Sequence, residues 1–365
     1  MGGMAGMQAV GVTEGFWTGR RVFITGHTGF MGGWLSFWLA RKGARIDGYA
    51  LAPPTQPSFF ETAGLAASVR SREADIRDLA TLARAMQDTR PEIVFHLAAQ
   101  PLVRAAHSGP VETFAVNTMG TVHVLEALRQ TPSVAAAVIV TTDKVYDNRE
   151  WPWGYREHDR LGAHEPYGGS KAAAEIAVES YRRAYFDYGV ERRLGLATVR
   201  AGNVIGGGDW AADRLVPDAV RAFGAGRPLE LRRPGSVRPW QHVLDPLQGF
   251  LMLAERLCET PDDWSGAWNF GPDEREACTA DALARDLATL WGDGAAVTHG
   301  RDGGPAEAGL LMLSSAQAKA RLGWRPRWSL ARAVSETVAW YKAHIAHAAM
   351  ADVTQRQIAL FEGAN

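Results

Sequence analysis

Cysteine is scarce in this sequence of 365 residues, which contains only Cys258 and Cys278. The two show neither a CxxC motif nor a Cys/His spacing typical of metal ligands, so we predict free thiols and no bound metal. A long chain with so few cysteines suits a reducing compartment, and we expect the protein to be cytoplasmic.

An excess of charge of one sign is also absent, since 39 Lys and Arg stand against 40 Asp and Glu, for a net charge of −1 at pH 7. This balance argues against nucleic acid or an anionic membrane surface as the main partner. No apolar run approaches the length needed to span a bilayer. Residues 1–15 lack the basic start and apolar core of a signal peptide, and we interpret residues 1–17 as a leader segment.

A glycine-rich turn follows the first predicted strand. Residues 21–25 have the pattern of a short buried β-strand, and residues 34–40 that of an apolar helix. Between them, Gly26, Gly29 and Gly32 have the spacing G-x-x-G-x-x-G. In a strand–turn–helix context such glycines let the backbone approach the pyrophosphate of a dinucleotide, and the helix N-terminus presents N–H groups to it. The alternative is a glycine-rich turn that binds nothing.

The predicted second strand, residues 45–51, says little about the choice between NAD and NADP. It ends in Ala-Pro-Pro, with no acid at its tip to bind the adenosine ribose. Asp47 lies too early on the strand, and no Arg stands there to meet a 2′-phosphate. We predict NAD because nothing positive marks a phosphate pocket.

Tyr167 and Lys171 are four residues apart, so on a helix both side chains leave the same face. An ammonium beside a phenol favours the phenolate. Because a free phenol titrates near ~10, bringing its pKa close to 7 requires roughly 4 kcal/mol of differential stabilisation. The spacing alone is weak evidence, since Tyr and Lys meet by chance on many solvated helices. The glycine turn on the same chain makes the catalytic interpretation the better one.

Strand-like and helix-like segments alternate from residue 20 to about 200. Continuous apolar strands separated by helices predict an α/β fold, a Rossmann-type doubly wound parallel sheet covered on both faces. We assign residues 18–202 mainly to an NAD-binding domain. Residues 203–365 are assigned mainly to a smaller substrate-binding domain, partly interleaved with the first.

Three polar segments follow predicted strands, namely residues 96–100, 141–144 and 200–203. Because right-handed crossovers bring the loops after parallel strands to one edge of the sheet, these segments are expected to converge with the glycine turn on one crevice.

With these motifs the chain resembles the extended short-chain dehydrogenase/reductase superfamily and, within it, the NAD-dependent epimerase/dehydratase family, most closely the 4,6-dehydratases that act on CDP-glucose. The resemblance covers about residues 16–340 and rests on FWTGRRVFITGHTGFMGGWLSFWL, PEIVFHLAAQPLVR, TTDKVYDN, EWPWGYRE, TVRAGNVIGGGDW and RPWQHVLDPL. Lys144 is the most telling residue, because the related dTDP-glucose and GDP-mannose dehydratases usually carry Glu there.

The resemblance implies a redox-neutral conversion of CDP-glucose into CDP-4-keto-6-deoxyglucose, a step of deoxysugar and lipopolysaccharide biosynthesis. Tyr167 would take the proton of the 4-hydroxyl, Lys171 would keep Tyr167 ionised, and Thr142 would bond the 4-oxygen. Asp143 would protonate the departing 6-hydroxyl. Two roles stay open for Lys144, either the base at C5 or a cation that stabilises the enolate.

The resemblance and the strand ends together assign the ligand contacts. The cofactor residues are Tyr167, Lys171, Gly26, Gly29, Phe30, Met31, Gly32, Asp75, Ile76, Leu97, Ala98 and Ala99. The substrate residues are Gln100, Arg104, Asn203, Arg238 and His242. Asp75 would bind the adenine amine, or alternatively cap a helix, and the fork of Arg238 suits a diphosphate.

Two positions depart from the family pattern. Met31 stands where relatives typically carry Lys, and Gly168-Gly169 stands where Ser-rich residues precede the catalytic Lys. These changes bear on cofactor affinity and on the exact substrate rather than on the reaction type.

The resemblance further implies a homodimer, built from a helix over residues 110–129 and a second over residues 167–188. Apolar positions of the first helix could equally belong to the core of one subunit; they are Phe114, Val122, Leu125 and Leu128.

Two other functions remain open from sequence. An epimerase or ketoreductase on this scaffold would need Tyr167 and Lys171 but has no evident use for an acid and a second cation at positions 143 and 144. A dinucleotide-binding regulator without catalysis is the third reading, and the intact Thr, Tyr and Lys set speaks against it.

Overall fold

Seven strands form one sheet at the centre of the computed structural model, which describes residues 11–187, 193–300 and 308–363. The strands of the described residues, in chain order and including those of the smaller two-stranded sheets, are β1 (Arg21–Thr25), β2 (Arg45–Ala50), β3 (Val69–Glu73), β4 (Ile93–His96), β5 (Ala136–Val140), β6 (Gly195–Ala201), β7 (Val204–Ile205), β8 (Leu229–Leu231), β9 (Val237–Arg238), β10 (Gln241–His242), β11 (Gly266–Phe270), β12 (Cys278–Thr279) and β13 (Val297–His299). The order of strands in the central sheet is β11-β6-β5-β4-β1-β2-β3, and every neighbouring pair is parallel. The predicted doubly wound parallel sheet is confirmed.

Helices cover the sheet. They are α1 (Phe30–Arg41), α2 (Phe59–Thr62), α3 (Leu79–Thr89), α4 (Val103–Ser108), α5 (Pro110–Phe114), α6 (Gly120–Arg129), α7 (Pro166–Tyr181), α8 (Leu215–Gly224), α9 (Leu244–Glu259), α10 (Pro261–Trp264), α11 (Ala280–Trp291), α12 (Leu330–Ile345) and α13 (Met350–Glu362). Within the described ranges, none of them is both long and apolar enough to cross a lipid bilayer.

Two π-helical turns interrupt the helices that the sequence predicted. The turn Ala115–Met119 joins α5 to α6, and the turn Arg182–Phe186 extends α7. Tyr188, the predicted end of that second helix, lies outside the described residues.

The sheet core explains why the strands read as continuous apolar runs. Along a strand, successive side chains point to opposite faces. Ile24 and Val138 belong to the core on one side of the sheet, and Phe23 and Ile139 to the core on the other. All four are almost fully buried, because helices lie on both faces.

The order in which strands are added to the sheet reverses at β1. Strands β2 and β3 are added on one side of β1, and β4, β5 and β6 are added on its other side. The loops after β1 and β4 therefore separate and leave a crevice at the carboxyl edge of the sheet, which is where ligands bind in open α/β sheets.

Segments from outside residues 18–202, the range predicted for the NAD-binding domain, also pack against the central sheet and its helices. Strand β11 pairs with β6 at the edge of the sheet. Near the N-terminus, Thr13 donates hydrogen bonds to Glu255 on α9, and the indole of Trp17 donates to the same carboxylate at 2.7 Å. Residues 13 and 17 of the predicted leader therefore pack against α9, and its residues 1–10 lie outside the described part.

Candidate active site

A cleft of roughly 1040 Å³ lies at the carboxyl edge of the sheet, and its walls include residues that directly follow β1, β4, β5 and β6. The structure thus brings together the segments that the sequence expected to converge. The predicted site residues that line the cleft are Gly26, Gly29, Phe30, Met31, Gly32, Asp75, Ile76, Leu97, Ala98, Ala99, Arg104, Thr142, Asp143, Lys144, Tyr167, Lys171, Asn203 and Arg238.

The glycine turn forms a backbone cradle against the loop after β4. Gly26 has a φ of +77°, and a Cβ atom there would lie 2.5 Å from the backbone nitrogen of Ala98. Gly29 is the N-cap of α1, and no side chain caps the N-terminus of this helix. The cradle therefore exposes backbone donors at the positive end of a helix dipole, which fits the pyrophosphate of a dinucleotide.

Asp75 follows β3 at the far end of the cleft and is not a helix cap. Asp78 caps α3 instead, accepting from the backbone N–H of Thr81 at 3.0 Å. The Asp75 carboxylate accepts from the backbone N–H of Arg77 at 2.8 Å and from its Nε at 2.9 Å, and this pairing lowers its pKa. Arg77 also lines the cleft. Sequence reasoning missed Arg77, although it stands only two positions after the predicted ligand.

The acid expected in the elimination step is buried directly after β5. Thr142 Oγ1 donates to Asp143 Oδ1 at 3.0 Å and accepts from the backbone N–H of Lys144 at 3.3 Å, which holds a short 3₁₀ turn. The Oδ2 atom of Asp143 has no hydrogen-bond partner among the described residues. Burial raises the pKa of Asp143, and Lys144 only partly offsets this. The carboxyl group is therefore biased toward the neutral form that can donate a proton.

The start of α7 is held by residues that the sequence analysis did not select. Glu165 accepts hydrogen bonds from the backbone N–H groups of Tyr167 and Gly168, both at 2.7 Å. The sequence pattern that indicates this N-cap is an acidic residue directly before Pro166, the first residue of the helix. Asn117, in the first π-helical turn, donates to Ser170 Oγ on α7 at 2.9 Å and to the carbonyl of Gln100 at 3.0 Å.

The Tyr167 phenol differs from its expected state. Burial raises its pKa to about 12, while hydrogen bonding to Thr142 and the charge of Arg214 act in the opposite direction. Burial therefore opposes the near-neutral pKa that the sequence predicted for Tyr167. The reason is that spacing on a helix places Lys171 near Tyr167 but does not decide how far the phenol is removed from water.

Lys171 is buried, and its Nζ donates to the carbonyl oxygen of Val140 at the end of β5, at 3.0 Å. Burial lowers its pKa to about 8. His96 lies within its electrostatic reach, with a pKa lowered to about 3 by burial and by Lys171. Its ring bonds Thr25 at 2.6 Å and Thr121 at 3.1 Å, so His96 is a packed residue at the strand end.

Gln100 and His242, both predicted to bind substrate, do not line the cleft. The Gln100 side chain donates to Thr113 Oγ1 and accepts from the backbone N–H of Leu102, so it shapes its own loop. The His242 ring is fully buried against Trp34 and Trp328. The substrate assignment is corrected for both, because tertiary contacts turn these side chains away.

The substrate side of the cleft carries aromatic and basic groups. Trp210 and Trp240 line it, and neither indole N–H has a hydrogen-bond partner in the described part of the chain. Arg238 is buried and donates to the carbonyl groups of residues 308 and 309. Arg214 was missed because its loop matches no motif; it lines the cleft and bonds Asp209 at 2.9 Å.

Among the residues that the structure describes, no group of three or more His, Cys, Asp or Glu side chains is arranged to hold a metal ion. Cys258 and Cys278 are free thiols, as predicted.

A parallel sheet with a glycine cradle at its switch point, and a Tyr–Lys pair in the same cleft, defines a dinucleotide-binding α/β protein of the short-chain dehydrogenase/reductase class. The sequence profile of the NAD dependent epimerase/dehydratase family matches residues 22–267. The chain belongs to this family.

Individual relatives agree with this membership. The chain is 46% identical over 349 residues to a CDP-glucose 4,6-dehydratase of Salmonella typhimurium, covering 95% of this chain and 97% of that protein. A UDP-glucose 4-epimerase of Thermus thermophilus, solved in complex with NAD, superposes with a TM-score of 0.75 at 26% identity, covering 88% of this chain and 99% of that one. A dTDP-glucose 4,6-dehydratase of Bacillus anthracis, in complex with NAD, shares the fold with a TM-score of 0.75 at 20% identity and coverage of 90% and 98%.

Proposed function

We propose that this protein is a sugar-nucleotide 4,6-dehydratase that converts CDP-glucose into CDP-4-keto-6-deoxyglucose with NAD as its cofactor. The observation that carries the proposal is the presence, in one cleft, of the Tyr167–Lys171 pair and the consecutive Thr142, Asp143 and Lys144. The choice of CDP-glucose is supported by 46% identity to a relative of that specificity over 95% of this chain.

The glycine turn, Asp75 and Lys171 would hold NAD, which when bound accepts a hydride from the sugar and later returns it. Tyr167 takes the proton of the 4-hydroxyl, and the Thr142 hydroxyl would turn its single proton from Asp143 Oδ1 to the 4-oxygen. Because burial raises the pKa of Tyr167, its ionisation needs nearby positive charge. Arg214 acts on the phenol in this direction, and Lys171, one helical turn along α7, lines the same cleft and would add to it.

Asp143 and Lys144 serve the elimination. Once C4 is a carbonyl, the C5 proton becomes acidic, and departure of the 6-hydroxyl requires a proton donor. Asp143 is that donor, since its burial favours the protonated form and its Oδ2 atom is free of partners within the described residues. Lys144 is essential for elimination, and two roles stay open for it: it takes the C5 proton as a base, or its charge stabilises the enolate while a water molecule takes that proton.

The remaining lining residues orient the substrate. With the hexose at Thr142 and Tyr167, the diphosphate extends toward Arg238, whose planar guanidinium suits phosphate oxygens. The nucleoside then lies between α8 and β8, which form the outer wall of the cleft.

The test is to incubate the protein with NAD and, separately, CDP-, dTDP-, GDP- and UDP-hexoses, and to follow substrate mass and cofactor absorbance. We expect CDP-glucose to lose one water with no net cofactor reduction. An unchanged substrate mass with a new stereoisomer would favour an epimerase. Cofactor binding without turnover on any sugar nucleotide would favour a regulator.

We also propose a homodimer formed by α5, α6 and α7. Leu125 and Leu128 are fully buried in the core of one subunit, so they do not contribute to an interface. An apolar surface is instead formed by exposed side chains of these helices and the π-helical turns that extend them; its members are Val111, Phe114, Met119, Ile176 and Tyr185. Several large exposed apolar side chains on neighbouring helices are typical of an interface between copies.

A further inference from the structure

A buried carboxylate that the proposed mechanism does not use lies one helical turn beyond Lys171. Glu175 shares the face of α7 that carries Tyr167 and Lys171, since the three are spaced by four residues. Its side chain is almost fully buried. Burying a charged carboxylate costs free energy unless the carboxylate is paired with a cation and hydrogen-bonded.

Four donors surround the Glu175 carboxylate. Oε1 accepts from Thr141 Oγ1 at 2.5 Å and from Arg200 Nε at 2.8 Å. Oε2 accepts from Thr198 Oγ1 at 2.6 Å and from Arg200 Nη2 at 2.9 Å. Burial opposes ionisation, but Arg200 and the two hydroxyl groups outweigh it and lower the pKa of Glu175. Every contact is a donor to a carboxylate, so the group is a fixed negative charge.

The same network reaches the strand ends that form the active site. Thr141 immediately precedes Thr142, and Val140, which accepts from Lys171, immediately precedes Thr141. Arg200 extends the network from β6 to the hydroxyl of Tyr146 at 2.7 Å and to the carbonyl of Glu157 at 2.9 Å. Glu175 therefore ties α7 to β5 and β6 behind the reacting groups.

We propose that Glu175 is a positioning residue that keeps Lys171 protonated and held at the end of β5, so that Lys171 can support the ionisation of Tyr167. This inference rests on the proposed function. Glu175 does not touch the cleft, and it acts through Lys171 and Thr141.

The electrostatic setting of Lys171 favours this role. Burial lowers its pKa to about 8, and Glu175 is the group that acts to raise it. Glu175 and His96 are the groups that interact electrostatically with Lys171. Further charged or titratable side chains on α7, on β6 and in the segment after β5 include Tyr167, Arg200, Asp143 and Lys144. Burial keeps the pKa of His96 at about 3, so its ring is neutral, and Arg200 is a cation paired with Glu175. Without the Glu175 charge, Lys171 would lose its proton at lower pH.

The first test is the Glu175→Gln variant, with Glu179→Gln as the matched control. Glu179 lies one turn further along α7, is partly exposed, and pairs with Arg182 and Arg183. In the full-length protein with NAD, we expect E175Q to shift the alkaline limb of the kcat/KM profile to lower pH by on the order of one unit. We expect kcat to fall roughly tenfold at pH 8 while KM changes less than about twofold, and E179Q to match wild type.

A second readout does not depend on turnover. Competitive labelling of Lys171 with acetic anhydride, followed by peptide mass spectrometry across a pH series, reports the midpoint of its titration. A lower midpoint in E175Q supports the role of Glu175 even if the substrate assignment is wrong. A folded E175Q protein with wild-type labelling and a wild-type alkaline limb would overturn it.

Loss of the carboxylate leaves Arg200 buried without its main partner, which is strongly destabilising. If E175Q does not fold, the double variant E175Q/R200M removes both charges of the pair and is measured in the same two ways. A downward shift of the Lys171 midpoint is expected again, and an unchanged midpoint would refute the proposal.

Discussion

The backbone carbonyl oxygen of Lys144 lies 2.5 Å from the position that a Cβ atom would take on Gly168. The catalytic helix and the Thr-Asp-Lys turn are therefore packed so closely that only glycine fits between them. A position that departs from the family pattern in sequence is thus explained by the approach of two active-site segments.

This relationship predicts opposite effects at two adjacent glycines. Gly168→Ala is expected to displace Lys144 and to destabilise the protein by on the order of 1–3 kcal/mol, with a matching loss of turnover. Gly169→Ala is the control, since the nearest atom to its Cβ position belongs to Phe114 at 3.6 Å. Because alanine favours helix, this variant should gain about 0.5–1 kcal/mol. Urea unfolding measures the change in stability of each variant, and kcat measures the change in turnover. A G168A variant that is as stable and active as wild type would contradict the close packing of Gly168 against Lys144.

Asp143→Asn should abolish proton donation and yet stabilise the protein. We expect product formation to fall by about 10²–10⁴-fold. Because burial raises the pKa of Asp143, the wild-type contribution to stability is present at low pH and is lost as pH rises through the folded-state pKa. The variant should therefore unfold at a higher temperature than wild type at pH 8 and at a similar one at pH 4. Dehydration at a near wild-type rate would exclude Asp143 as the acid.

Lys144→Ala should stop elimination while leaving cofactor binding intact. Removing Lys144 withdraws the group assigned to the C5 proton or to the enolate, for which a loss of about 10²–10³-fold in kcat is typical. Lys319→Ala, which removes a lysine paired with Asp273 outside the cleft, is the control. Fluorescence titration with NAD checks binding, and near wild-type turnover in K144A would remove Lys144 from the mechanism.

Asp245 gives a pH-dependent stability effect that is independent of the reaction. Burial raises the pKa of Asp245 from 3.8 to about 7, and its Oδ1 accepts from the backbone N–H of Arg327. Between pH 4 and 7 the folded state keeps a proton that the unfolded state has released, so stability falls by about 1.4 kcal/mol per pH unit from this group. Asp245→Asn removes that slope.

The measurement for Asp245 is urea unfolding at pH 5, 6, 7 and 8. The free energy of unfolding of D245N is expected to exceed that of wild type by an amount that grows with pH and levels off above pH 7. Activity should not change, since Asp245 does not line the cleft. A difference that stays constant with pH would contradict the raised pKa.

The proposed dimer interface is tested by placing a charged side chain in it. Ile176 on α7 is 63% exposed, and a glutamate there would be buried without a partner in the proposed interface. We expect Ile176→Glu to sediment as a monomer and wild type as a dimer. Leu360→Glu on α13, at a site 43% exposed, is the control and should stay dimeric. A monomeric wild type would refute the interface.

Much of the site could be predicted because its signals are local. The strand–glycine–helix order and the spacing of Tyr167 and Lys171 are visible within short windows of sequence. Glu165 carries a local signal as well, since an acid directly before Pro166 is the pattern of a helix N-cap, but that pattern indicates a structural role rather than a reactive one. Arg214 and Glu175 carry no such pattern, and only their neighbours reveal them.

The sequence by itself determined the parallel sheet and the meeting of its loops at one edge, because continuous apolar strands and right-handed crossovers leave few alternatives. Only the tertiary structure decided which way Gln100 and His242 point and how strongly Tyr167, Asp143 and Lys171 are desolvated. Side-chain direction and desolvation depend on atoms from distant parts of the chain, and spacing along the sequence contains no information about them.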